Sequence, residues 1–242
     1  MIALLQARMS SNRMPGKVLL PFDGSTSILT HIIKNIKKTN LIEKIVVLTS
    51  THVTDNVIEN YCKKNKYDYF RGPLKNVIKR FIQAGNYFNA KHFLRVCCDS
   101  PFLSRKLIEN LVNSYAGNDY DSYAIRGIPG IKTHLGIIPE IVSLKSLELV
   151  YKQFNNAEFN EHVTLGVYSN KELFKVNLLA HKHLDMLSGL RLTVDDPEDY
   201  DICQTIIKNN KFDIFDNTKT LINNLPSKLK ERMFNQIIKY EK

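Results

Sequence analysis

Cysteine is scarce in this chain. Cys62, Cys97, Cys98 and Cys203 are all that 242 residues contain, with no C-x-x-C spacing and no His-Cys zinc pattern. This argues against a structural zinc site and a dithiol redox centre, and predicts buried, reduced thiols. Long uncharged apolar runs are absent, so no membrane span is expected. Met1-Ile2-Ala3 enters an apolar run without a basic leader or a small-residue cleavage site, which predicts a cytoplasmic location and no membrane partner. Internal repeats and low-complexity linkers are also missing, so residues 1–242 are expected to form one domain. The glycine-rich phosphate signatures G-x-x-x-x-G-K-[ST] and G-x-G-x-x-G do not occur at the N-terminal loop, which excludes ordinary P-loop and Rossmann readings there.

Positive charge is abundant, with 34 Lys and Arg against 24 Asp and Glu, a net charge of +10. A basic balance invites a nucleic-acid reading, but the lysines alternate with asparagines, as in Lys63-Lys64-Asn65-Lys66, and few aromatics lie between them. No groove-reading or stacking motif accompanies the charge, so a nucleic-acid partner is not expected.

Apolar runs and helical periodicities alternate through the first 125 residues. Strands are expected at Ile2–Gln6, Lys44–Thr49, Tyr67–Phe70, His92–Cys97 and Ser122–Ile125. Between them, Ile28, Leu29, Ile32, Ile33 and Ile36 share one helical face, and Leu103, Leu107, Ile108, Leu111, Val112 and Tyr115 share another. The alternation predicts an α/β fold, doubly wound on a mostly parallel sheet of about six or seven strands. Gly127, Pro129, Gly130, Gly136 and Pro139 then mark a turn-rich excursion, an inserted flap over approximately 127–143. Helices are expected at Leu144–Phe154 and around Glu161–Leu165, and strands at Leu173–Leu179 and Leu190–Val194. Asp196-Pro197-Glu198-Asp199 reads as a helix start. Residues 211–242 are expected to be a C-terminal extension with an amphipathic helix from Pro226 to Tyr240.

The densest chemistry lies in Gln6-Ala7-Arg8-Met9-Ser10-Ser11-Asn12-Arg13-Met14-Pro15-Gly16-Lys17. A strand opening into a loop with Arg8, Arg13 and Lys17 can surround a polyphosphate, with Ser11 and backbone N–H groups donating to its oxygens. Gly16 allows a turn that a Cβ would obstruct. Ligands of doubly wound sheets bind beyond the carboxyl ends of the strands, where this loop and Asp99 are both expected. From the residues alone, Asp99 reads either as a metal ligand or as an Asx turn before Pro101.

The loop resembles the A-R-x-x-S-x-R-x-P-G-K signature of nucleotidyltransferases that activate acidic sugars with CTP. The likeness is to spore-coat-polysaccharide-type cytidylyltransferases and, more distantly, to 3-deoxy-manno-octulosonate cytidylyltransferases. It extends along the chain through Phe70-Arg71-Gly72 to Arg80, Arg95 to Pro101, Glu161-His162-Val163-Thr164 and Leu190 to Asp199. The resemblance implies a nucleotide-diphospho-sugar-transferase-like fold, with CTP and a small acidic or phosphorylated sugar as partners and Mg²⁺ as cofactor. It implies that Arg8, Arg13 and Lys17 are catalytic and that Ala7, Ser11, Gly16, Thr49, Arg71 and Gly72 border the nucleotide. Asp99 and Asp195 would hold the metal, while Glu140, His162 and Arg191 would serve the acceptor. A homodimer is implied as well, with the excursion reaching a second subunit or folding over its own acceptor pocket.

Three positions depart from that pattern. Cys98 stands where the family has Gly, Asn76 where it has an acid, and Ile138 where it has Asp. They keep open a non-catalytic nucleotide-binding module. A nucleotide-sugar glycosyltransferase is the other alternative, but its Asp-x-Asp motif would have to be Asp119-Tyr120-Asp121 or Asp199-Tyr200-Asp201, both poorly placed. His181, His183 and Asp185 would share a face on a strand but have no fourth ligand nearby.

Overall fold

The computed structural model describes residues 1–154, 156–209 and 213–240. The strands are β1 (Ile2–Gln6), β2 (Pro21–Asp23), β3 (Thr26–Ser27), β4 (Lys44–Ser50), β5 (Asp68–Gly72), β6 (His92–Cys97), β7 (Tyr120–Ile125), β8 (Ile128–Pro129), β9 (Glu140–Ser143) and β10 (Val176–Ala180). Helices of the first half are α1 (Ile28–Lys37), α2 (Asn56–Asn65), α3 (Val77–Tyr87) and α4 (Arg105–Ser114). They are followed by α5 (Leu144–Gln153), α6 (Ala157–Glu161), α7 (Leu165–Tyr168), α8 (Lys182–Met186), α9 (Pro197–Asn209), α10 (Thr218–Asn224) and α11 (Ser227–Tyr240).

The main sheet runs β10-β7-β9-β6-β1-β4-β5, with β8 paired to β7, while β2 and β3 form a separate ribbon. β1 lies parallel to both β4 and β6, and β4 is parallel to β5. β9 runs antiparallel between β6 and β7, whereas β10 is again parallel to β7. The expected doubly wound, mostly parallel sheet is therefore present.

Its two faces follow from strand alternation. In β1, Ala3 and Leu5 pack into one buried cluster with α1, α4 and α9, and Leu4 packs into the other with α3, α5 and α7. Strands apolar on both sides need helices on both sides. The helices start where their caps dictate: Ser27, Asn76 and Ser104 accept hydrogen bonds from Thr30 N, Lys79 N and Leu107 N. Asn76, which stands where the family has an acid, therefore serves as the N-cap of α3. No helix among the described residues is long and apolar enough to cross a membrane.

Several expectations need correction. The excursion ends earlier than residue 143, because Glu140–Ser143 is a strand inside the sheet. Leu190–Val194 forms no strand: Leu192 N and Val194 N donate to the loop carbonyls His134 O and Asp99 O. The Glu161–Leu165 helix is two short helices with His162 to Thr164 in the turn between them. The strand expected at Leu173–Leu179 begins at Val176. His181 caps α8 instead of lying on a strand, and Asp185 accepts from Arg126 N, so the His-His-Asp face does not exist. Of the C-terminal extension, α10 and α11 are formed, and residues 211, 212, 241 and 242 lie outside the described residues.

Candidate active site

The carboxyl ends of β1 and β6 open onto a cleft of ≈ 1050 Å³. The loop after β1 forms one wall. Met9 O accepts from both Ser11 N and Gly16 N at 3.0 and 2.9 Å, which folds the loop back on itself. Gly16 makes this turn at φ 74, and a Cβ there would stand 3.0 Å from Met9 Cε. Buried Asp55 braces the same loop from below, accepting from Met9 N at 2.8 Å and from Ser50 N at 3.0 Å. The loop is therefore tied to the end of β4 as well as to β1.

Arg8, Ser11, Arg13, Lys17, Asp99, His162 and Asp195 all face this cleft. They arrive from four separate parts of the sequence. Lys17 sits at the centre: its Nζ donates to Val194 O at 2.6 Å, lies 3.1 Å from Asp195 Oδ1 and is 4.0 Å from Asp99 Oδ2. The Asp99 main chain is fixed by accepting Val194 N–H at 2.7 Å. Arg13 approaches Asp195 Oδ1 at 3.0 Å, and Arg8 pairs with Glu161 at 2.8 Å. Burial raises the Asp195 carboxyl, but Lys17 and Arg13 outweigh it and hold that carboxyl below its ordinary value.

Arg191 occupies a different place from the one expected. It is 1% exposed and grips Asp199 with Nε and Nη2, each at 2.7 Å, while Nη2 also reaches Asp195 Oδ2 at 3.1 Å. Its remaining nitrogen meets His134 Nδ1 at 2.6 Å. Arg191 therefore orients Asp195 from behind and does not line the cleft. Glu140 is also withdrawn. At 1% exposure it takes Arg95 Nη1 at 2.5 Å, Tyr120 Oη at 2.6 Å and Thr164 Oγ1 at 2.9 Å. Both of its carboxylate oxygens are engaged inside the fold.

Ala7, Gly16, Thr49, Arg71 and Gly72 do not line the cleft either. Ala7 N–H bonds Leu48 O at 2.9 Å, and Thr49 is fully buried. The Arg71 side chain turns to Glu59, Ser50 O and His52 O. Gly72 makes room for Arg80, whose Cγ would lie 2.7 Å from an added Cβ. Asp119 and Asp121, of the first Asp-x-Asp, are held by Ser146, Lys175 N, Asn118 and Asn177 away from the cleft. Asp199 and Asp201, of the second, are held by Arg191 and Arg232.

Other cleft residues carried no role in the sequence reading. Lys132 and His134 come from the excursion, and Glu158 and Glu161 from α6. Ile138 lines the cleft and packs on Gly130, so the departure from Asp leaves an apolar wall. Cys98 is 2% exposed and burial pushes its thiol well up, so the departure there is an inert filler. Gln6 Oε1, Arg95 Nε and Thr193 Oγ1 are buried without partners, and all three residues border the cleft.

A divalent cation fits the donor set. Asp99 and Asp195 offer carboxylate oxygens to the same cleft, close enough to share one lysine. Among the described residues no group of three or more His, Cys, Asp and Glu is arranged to hold a metal. A two-carboxylate pair completed by phosphate oxygens and water is the mode Mg²⁺ favours.

Comparison with known proteins identifies the family. The profile of the cytidylyltransferase family matches residues 2–228. The spore coat polysaccharide biosynthesis protein SpsF of Bacillus subtilis is 30% identical over 203 residues, covering 82% of each chain. The structure of a cytidylyltransferase from Leptospira borgpetersenii superposes with a TM-score of 0.83 at 28% identity, covering 97% of each chain. A CMP:2-keto-3-deoxy-manno-octonic acid synthetase complexed with CTP gives 0.61 at 13% identity over 86% of this chain and 98% of its own, a likeness of fold. The chain belongs to the cytidylyltransferase family.

Proposed function

We propose that this member of the cytidylyltransferase family transfers CMP from CTP to a small acidic or phosphorylated sugar, releasing pyrophosphate. The observation that carries the reading is the convergence of Arg8, Arg13 and Lys17 with Asp99 and Asp195 in one cleft at the carboxyl edge of the sheet. In the reaction an acceptor oxygen bonds to the α-phosphorus as the bond from that phosphorus to the bridging oxygen breaks. Little covalent chemistry falls to the protein, so positioning and charge neutralisation carry the rate. Arg13 and Lys17 supply cations beside the triphosphate, Arg as a fork and Lys as a point charge. Asp99 and Asp195 would hold Mg²⁺, which when bound neutralises phosphate charge and fixes the oxygens' arrangement.

The acceptor belongs in the half of the cleft lined by Lys132, His134 and His162, against Ile138 and Tyr168. The Lys132 ammonium and the imidazole N–H groups there suit a carboxylate or phosphate, and Ile138 and Tyr168 suit an apolar sugar face. The spore coat polysaccharide relative supports a surface-glycan setting.

Pyrophosphate release, measured with each nucleoside triphosphate against a panel of acidic and phosphorylated sugars, tests the reading. Release with CTP and at least one acceptor is expected. No release with any pair would leave a binding module that retains the fold.

A further inference from the structure

The C-terminal helix reaches the active site, although the family match stops at residue 228. α11 is anchored by Leu229 and Met233, which are 5% and 0% exposed, and its last turn closes over the loop that carries Asp195. Three of its side chains converge on Asp196: Gln236 Nε2 at 2.8 Å, Lys239 Nζ at 2.8 Å and Tyr240 Oη at 2.7 Å. Tyr240 does more than cap that carboxylate. The Arg13 Cζ stands 4.6 Å from the centre of its ring, and the Arg191 Cζ stands 4.7 Å from it. These are the two guanidinium groups that contact opposite oxygens of Asp195, Arg13 on Oδ1 and Arg191 on Oδ2.

We propose that Tyr240 is a positioning residue for nucleotide binding: its ring holds Arg13 at the mouth of the cleft and Arg191 behind Asp195, fixing both before the triphosphate arrives. The inference rests on the reading of this cleft as the CTP site. Arg191 is buried and doubly bonded to Asp199, so its position is already well determined. Arg13 is not: its side chain is 46% exposed and comes from a loop. A long side chain left free in solvent would lose rotamer freedom on gripping phosphate, and the affinity would fall accordingly. An aromatic face that already restrains the guanidinium removes part of that loss, and the cation–π attraction keeps the side chain beside its target. The hydroxyl bond to Asp196 in turn fixes the ring, through the residue adjacent to Asp195 in sequence.

The test compares Tyr240→Leu, Tyr240→Phe and Lys239→Met, reading the Kd for CTP in excess MgCl₂ by titration calorimetry and the melting temperature of each. Losing the restraint on the one mobile guanidinium, Arg13, predicts roughly a 3- to 10-fold weaker Kd for Tyr240→Leu. Tyr240→Phe keeps the ring but loses its Asp196 anchor, and is expected to bind between the wild type and Tyr240→Leu. Lys239→Met removes an Asp196 anchor without removing the ring, and its Kd is expected to stay at the wild-type value. Should Tyr240→Leu bind as wild type does, the inference is overturned. It is equally overturned if Phe, Leu and Lys239→Met all weaken CTP together with the melting temperature, because then the helix matters only as a brace. If the wild-type chain itself does not bind CTP, the reading of the cleft fails and this inference falls with it. A variant that fails to fold is replaced by Tyr240→Met, which keeps length and apolar bulk without a π face.

Discussion

Replacing Glu140 with Gln separates a structural carboxylate from a substrate-binding one. The pair it forms with Arg95 is almost fully enclosed, with side-chain exposures of 2% and 8%. Burial disfavours the Arg95 cation, yet the neighbouring Glu140 carboxylate helps hold its pKa above the ordinary value. An amide keeps the shape, and its oxygen still accepts from Tyr120 and Thr164, but its NH₂ then faces Arg95 Nη1 donor to donor, so the substitution removes the charge pairing and the hydrogen bond together. Leaving one buried charge without its partner costs about 3 kcal/mol or more. At about 2–4 °C per kcal/mol for a chain of this size, the melting temperature should fall by about 6–12 °C. Calorimetry or thermal circular dichroism measures the shift, and CTP binding well below the transition should be unchanged. Adding Arg95→Met removes the stranded cation and should recover a substantial part of the loss, since well-packed apolar replacements of buried pairs are often close to neutral. A Glu140→Gln protein that melts with the wild type but loses only acceptor-dependent turnover would refute this reasoning and return Glu140 to the acceptor site.

Asp99→Asn and Asp195→Asn should each lower turnover by on the order of 10²-fold or more while the melting temperature stays close to the wild type, because a metal-binding carboxylate is lost and its shape is kept; two Asn variants with near-normal rates in Mg²⁺ would exclude the assignment. Asp196 is pulled far below the ordinary carboxylate range: burial raises its pKa, but Lys239, the Asp199 N–H, Tyr240 and Gln236 lower it more. A depressed pKa contributes stability that is present above the unfolded value, near 3.9, and lost as pH falls below it. Urea midpoints measured from pH 6 down to pH 3 should therefore decline, and Asp196→Asn should flatten that decline. Gly136→Ala forces a side chain onto a φ of 64 and within 3.0 Å of the Leu192 backbone, so it should destabilise by about 1–2 kcal/mol in urea titrations. If the excursion, where Ile128 is 51% exposed, is a dimer arm, light scattering at micromolar concentration will show a dimer; a monomer would rule out that arm.

The parallel half of the sheet was legible because β1, β4 and β6 are apolar on both faces and are separated by helices with clean apolar stripes. β9 was not. Its four residues follow a run of Gly and Pro turns, and the pattern Glu-Ile-Val-Ser gives no sign that the Glu is buried. A buried ion pair is invisible until the partner is known, and Arg95 lies 45 positions away. Cations in the N-terminal loop were readable because their density has few structural uses. Which arginines face the ligand was not, since Arg71 and Arg191 differ from Arg13 only in the acids near them in space. Tyr240 offered no signal in a polar tail, because its meaning depends on where α11 docks.

The placement of β9 also bears on the order in which the chain can fold. Residues 2–97 supply β1, β4, β5 and β6, a set of neighbours that can pair as they are synthesised. β7 follows in sequence but has no place beside β6, because the slot between them belongs to a strand not yet made. Until residues 140–143 arrive, β6 presents an open edge with His92 to Arg95 unpaired on that side, and Arg95 has no counter-ion. Unpaired edges are where nascent chains find wrong partners. The excursion before β9 is thus a tether as well as a wall of the cleft: its length sets how long that edge stays open, and lengthening it should slow refolding more than it lowers stability.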